Sequence, residues 1–177
     1  MKLFLAGVIF LQAWVVPSAA QTLRPVDARS MVTFEIRNVG LLVTVRLADI
    51  QGLVEFDVHE LPSSTIDLTV SAKSISTGIA LRDRHLQNED YLDAKRFPLL
   101  KFKSSRIEKS GDQYRVAGKL TIKGIEKETS IPCRVTQLPN GLELAGKFTV
   151  NRHDFDVGGG AFTLGDSVAV SFRIVAQ

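Results

Sequence analysis

From about residue 30 onward, apolar and polar residues alternate with a period of two, the signature of strands with one buried face. Val32, Phe34 and Ile36 alternate with Thr33, Glu35 and Arg37, and Gly40 then allows a turn. Val43 to Phe56 reads as one long strand interrupted at Gly52, where a glycine marks a bulge or bend. Within it, Arg46 and Asp49 break the apolar pattern. Either the faces swap where the strand bends, or these charges reach solvent near a rim. Ile66, Leu68, Val70 and Ala72 give the cleanest alternation. Further strands are predicted over 99–107, 113–122, 127–135, 142–150 and 167–175.

Turn-forming residues separate these runs: Leu61-Pro62-Ser63-Ser64, Ser110-Gly111-Asp112, Lys123-Gly124 and Pro139-Asn140-Gly141. Asn140-Gly141 is a strong hairpin signal. About eight strands joined by short turns predict an all-β antiparallel sheet, closed as a barrel or folded as a sandwich. The one helical insertion falls within 76–94, and Pro98 ends it because proline lacks an N–H and restricts its predecessor.

The first 20 residues read as a secretory leader. Lys2 is followed by an almost wholly apolar run from Leu3 to Val16, then Pro17-Ser18-Ala19-Ala20. That run is short for a membrane span, which needs ~20 residues; an uncleaved anchor is the alternative. Cleavage after Ala20 would leave residues 21–177 as one domain, large enough for a real core. Losing Lys2 takes Lys+Arg from 22 to 21 against 19 acids, so the net charge falls from +3 to +2. This near balance, with no basic block among aromatics, argues against nucleic acid. Cys133 is the single cysteine, so no intrachain disulfide forms and the core alone holds the domain. Beside Pro132 in a strand-like run, it reads as a small buried apolar residue.

Catalytic motifs are missing from the sequence. His59, His85 and His153 are too far apart for a short metal motif, and there is no H-E-x-x-H, C-x-x-C or nucleophile elbow. The expectation is a protein that is not an enzyme and uses no metal or cofactor. Gly158-Gly159-Gly160 lacks the Lys-Ser/Thr of a phosphate loop and reads as a flexible connection. Asp83 and His85 have two readings. One is a fixed polar network, with Asp83 capping a helical turn and Arg82 and His85 bonded to nearby backbone. The other is a rim that meets a polar head group. Ten Phe are enough either to fill a barrel interior or to line a cavity.

Five pieces, in order, resemble the YceI-like family. They are SMVTFEIRNVG (Ser30 to Gly40), GLVEFDVHELPSSTIDLTVSAKSISTG (Gly52 to Gly78), RDRHLQNEDYLDAKRFPLLKFKS (Arg82 to Ser104), GKLTIKGIEKE (Gly118 to Glu128), and NRHDFDVG (Asn151 to Gly158) with the closing GDSVAVSFRIVA. The third is the most specific. The family commonly has His-Ser at the opening of the first strand and a second His before its Gly turn; here Arg29-Ser30 and Asn38 stand there. The resemblance implies an extended, antiparallel, eight-stranded lipocalin-like barrel in a periplasmic or secreted protein. It also implies a ligand that is a polyisoprenoid, an isoprenoid quinone or another long-chain lipid.

The resulting expectation puts the lipid tail against Phe34, Ile36, Leu68, Val70, Phe102, Phe148 and Phe172. The head group would meet a mouth near Asp83 and His85, or near Asn151 and Phe162. A homodimer is left open. The alternative is a solid-core barrel acting as a stress-related interaction module without a small ligand.

Overall fold

The computed structural model describes residues 21–177; the predicted leader lies outside the described residues. Ten strands form one antiparallel sheet: β1 (Thr22–Leu23), β2 (Met31–Asn38), β3 (Leu41–Leu47), β4 (Ile50–Glu55), β5 (Thr65–Ser71), β6 (Leu99–Ser110), β7 (Gln113–Ile122), β8 (Ile125–Leu138), β9 (Gly141–Asn151) and β10 (Ser167–Ala176). A short helix, α1 (Ala80–Leu86), lies in the connection between β5 and β6. The spatial order is β1-β4-β5-β6-β7-β8-β9-β10-β2-β3.

The all-β expectation holds, with two strands more than the sequence reading. One addition is β1. The other arises because the predicted 43–56 strand is two strands, broken at Ala48-Asp49 and not at Gly52. Asp49 takes a left-handed φ of 56°, which an Asp tolerates better than most residues. The break swaps the buried face, from Val45 and Leu47 before it to Ile50 and Val54 after it. Arg46 and Asp49 are left on the outside. Gly52 instead lies inside β4, where a Cβ would collide with the Asp67 carbonyl of the neighbouring strand. The β8–β9 hairpin also shifts: Leu138 pairs with Gly141, so the turn is Pro139-Asn140 and Gly141 already belongs to β9.

The sheet curls until its edges nearly meet, and two segments seal the seam between β3 and β4. At one end the chain leaves β4 after β1 and crosses to β10. There Arg24 and Gln177 exchange backbone hydrogen bonds of 2.9 Å, and the Val26 N–H donates to the Val175 carbonyl at 2.7 Å. At the other end Arg46 of β3 exchanges backbone bonds with Ser76 at 2.8 and 2.9 Å. The Ser74 hydroxyl accepts from the Ala48 N–H at 2.8 Å. The 72–98 connection thereby covers one mouth of the barrel.

Packing differs between the two ends. Near β1 the interior is solid, with Leu23, Val54, Ile107, Tyr114, Leu142 and Ala176 all buried in one cluster. Toward the 72–98 connection a second cluster of Val45, Leu47, Ala72, Ile75, Leu92 and Ala94 fixes that connection to β3.

Candidate functional site: an apolar cavity inside the barrel

Between the solid end and the covered mouth, the inward side chains leave a cavity of about 190 Å³. Its walls follow directly from strand parity. Ile66, Leu68 and Val70 of β5, Leu100 and Phe102 of β6, Phe148 and Val150 of β9, and Val168, Val170 and Phe172 of β10 all point inward. Most of these side chains are only partly buried although they face the interior, because the space before them is empty. Gly146 supports this arrangement. A Cβ there would strike the Phe172 ring, which instead tilts against Phe148 with centroids 6.4 Å apart.

Six of the seven residues expected to hold a tail line this cavity: Phe34, Leu68, Val70, Phe102, Phe148 and Phe172. Ile36 does not. It is buried on the same face of β2, one step nearer the β2–β3 hairpin and beyond the lining.

None of the four expected rim residues lines the cavity. Asp83 lies within α1 and not at its start, so it does not cap it; Ile79 holds that position without a side-chain bond. The Asp83 carboxylate instead accepts from the Thr77 N–H at 2.7 Å and the Thr77 hydroxyl at 2.5 Å. Arg82 donates to the Thr77 carbonyl at 3.2 Å. His85 is exposed and rests against Tyr91, with ring centroids 4.7 Å apart. Asn151 accepts from the His153 N–H at 2.9 Å, and the Phe162 side chain is wholly exposed. Both segments do meet at the same mouth, because the Gly158 N–H donates to the Asp90 carbonyl at 2.6 Å.

The residue that organises this mouth is Arg152, which the sequence reading passed over. It is 4% exposed and contributes only carbon surface to the cavity wall. Its guanidinium donates to the carbonyls of Gly165 (3.1 Å), Val157 (3.0 Å), Gly158, Ala161 (3.3 Å) and Leu164 (3.2 Å). It also donates to the Asp166 carboxylate at 3.2 Å. One rigid fork of donors thus holds the whole 156–166 loop in place. Gly158 to Gly160 therefore lie in a tethered turn, not a loose connection. A hydrogen bond from His153, with Arg152 adding its charge, holds the Asp166 carboxyl below the ordinary carboxylate range. Arg152 follows the end of β9 as the first residue of a 3-10 turn (Arg152–Phe155), and no strand pattern marks it as buried.

Among the described residues no polar surface faces the cavity. Cys133 lies in the wall at 2% exposure, and burial pushes its thiol up to about 11. Such a thiol stays protonated and behaves as an apolar group. In the folded protein Cys133 is expected to resist a thiol reagent at pH 8 and to react in full after denaturation. Rapid labelling of the native state would contradict this burial. An enclosed apolar cavity of about 150 Å³ accepts benzene. The cavity therefore seats one ring or a short branched alkyl segment as it stands.

Comparison with known proteins agrees with this architecture. A UPF0312 protein of Photorhabdus laumondii is 30% identical over 125 residues, which cover 69% of this chain and 64% of the relative. A UPF0312 protein of Yersinia pestis is 28% identical over 108 residues, covering 60% of this chain and 56% of the relative. The chain thus spans less than two thirds of the length of these curated relatives. Among solved structures, Burkholderia cenocepacia BcnA superposes with a TM-score of 0.80 at 26% identity, covering 85% of this chain and 98% of that one. A domain from Saccharophagus degradans, described as polyisoprenoid binding, gives a TM-score of 0.72 at 12% identity, covering 90% and 99%. At that identity the likeness is one of fold. Residues 23–176, from β1 to the end of β10, match the YceI-like domain, and the chain belongs to that family.

Proposed function

We propose that this chain is a periplasmic or secreted binding protein for a long amphipathic lipid of polyisoprenoid or isoprenoid-quinone type. The observation that carries the reading is the cavity itself: closed at one end, walled by Phe and branched aliphatic side chains, and without polar surface. Family membership and the fold shared with a polyisoprenoid-binding domain support the same ligand class. Each methylene moved from water into such a wall contributes about 0.8 kcal/mol. The cavity admits the end of a tail. The rest of a long chain and its head would pass Leu92 and Val157 toward the mouth, where Asp83, His85, Asn151 and Phe162 sit outside the lining. The role is capture and release of the bound tail.

The solid-core alternative has the packed end near β1 in its favour, but it leaves the half-buried inward faces of β5, β6, β9 and β10 unexplained. A dansyl-labelled farnesyl probe separates the two. The proposed function predicts saturable fluorescence enhancement at about one probe per chain, reversed by unlabelled isoprenoid. A linear, non-saturable signal would remove the cavity as its binding site.

A further inference from the structure

Four exposed apolar side chains stand together on two neighbouring tips at the covered mouth, while others, such as Met31, Leu53 and Val58, are scattered singly elsewhere. Val39 and Leu41 are each 73% exposed and Leu42 is 58% exposed, all at the β2–β3 hairpin tip. Phe162, with its side chain fully in solvent, stands beside them. The two tips are joined, because the Val39 N–H donates to the Thr163 carbonyl at 2.9 Å and the Gly165 N–H to the Arg37 carbonyl at 2.7 Å. Apolar groups at a tight turn bury nothing in the barrel, and the Arg152 fork holds the Phe162 loop in this outward position.

Arginines flank the patch. Arg37 reaches over the hairpin turn, donating to the Gly40 carbonyl at 3.2 Å. Arg46 and Arg82 border a polar hollow with Leu42, Thr44, Ser76 and Thr77. Among the described residues none of the three arginines forms an ion pair, and the Arg82 Nε is buried without a partner. The acids nearby are Glu35, paired in register with Thr44; Asp83, whose carboxylate is taken by Thr77; and, on the Phe162 loop, Asp156 and Asp166, which pair with Lys123 and with Arg152 and His153.

We infer that this mouth docks on a lipid bilayer that contains anionic phospholipid. Val39, Leu41, Leu42 and Phe162 would enter the acyl boundary, and Arg37 and Arg46 would meet head-group phosphates. Two observations favour a bilayer over a second copy of the chain. The four side chains offer at most on the order of 600 Å², less than the roughly 800 Å² per partner of a stable dimer. They also sit on two protruding tips, a shape that suits insertion into a fluid phase better than a flat complementary face. Among the described residues no helix is long and apolar enough to cross a membrane. The inference stands whatever the cavity holds.

Vesicle flotation tests it, using protein expressed with its leader and recovered from the soluble periplasmic fraction. The protein is expected to float with phosphatidylethanolamine vesicles containing phosphatidylglycerol, and less so in high salt. The combined Val39→Ser, Leu41→Ser and Leu42→Ser protein should bind these vesicles at least about tenfold more weakly. Its far-UV spectrum and its uptake of the soluble farnesyl probe should be unchanged. Arg46→Glu should weaken vesicle binding roughly fivefold or more. Vesicle binding by the triple variant equal to that of the parent would overturn the inference. So would no flotation of the parent, or a rim-dependent dimer that ignores vesicles.

Discussion

The Val170→Trp protein is expected to fold normally and to lose its lipid. Val170 pairs with Phe34 on β2 and with Phe148 on β9, so it stands between two aromatic walls of the cavity. An indole at this place would occupy the space that a tail needs. Excluding three or four methylenes at about 0.8 kcal/mol each removes about 3 kcal/mol of binding, a weakening of at least roughly 100-fold. The same change reports on the void. In a hollow barrel the added ring fills empty space, and stability stays level or rises. In a filled barrel it overpacks the core and costs about 1–3 kcal/mol. Residues 21–177 contain no tryptophan, since Trp14 lies in the predicted leader, so the new ring also becomes a unique fluorophore. Its emission should be blue-shifted. Titration of the farnesyl probe and thermal unfolding of this one variant read affinity and packing separately. Wild-type affinity would place the tail elsewhere.

Replacing Arg152 with alanine should produce the largest loss of stability. The guanidinium serves five carbonyls and one carboxylate from a position that is almost wholly buried. Without it those acceptors must find water, and the 156–166 loop must leave the mouth to reach it. Breaking a buried, charge-assisted network of this kind costs about 3 kcal/mol. For a domain of this size that lowers the unfolding midpoint by roughly 6–12 °C. Hydrogen exchange should speed up at the backbone amides tied to this loop, those of Val39 and Gly158 among them. Arg152→Lys should recover little, because one ammonium cannot replace a planar fork reaching several carbonyls. A loss below about 1 kcal/mol in the alanine variant would mean that the loop holds itself.

Much of this molecule was legible in the alternation of its strands. Leu68 with Val70 and Phe148 with Phe172 fall on inward faces because a strand's side chains alternate, and parity needs no tertiary knowledge. The missed details share one cause: they depend on contacts between segments distant in sequence. The kink at Asp49 competed with Gly52 as a break. Only the neighbouring Asp67 carbonyl shows that Gly52 is a close-approach glycine inside a continuous strand. Asp83 looked like a cap because it precedes a helical run. Its partner, Thr77, lies before that helix, and the helix starts too early for Asp83 to cap it. Arg152 received no role from the sequence, since most arginines lie at the surface. What buries it is a loop that folds back over it with carbonyls turned inward, an arrangement no local pattern encodes. The emptiness of the interior is also beyond pattern, because the same apolar faces could have packed against one another.

Native mass spectrometry of the protein recovered from a periplasmic fraction, followed by organic extraction, tests the central claim most directly. The proposed function predicts a discrete mass above that of the cleaved chain, released into organic solvent as an isoprenoid-type or other long-chain lipid, and absent from the Val170→Trp protein. A bare chain mass that stays unshifted after incubation with isoprenoid quinones and fatty acids would contradict it.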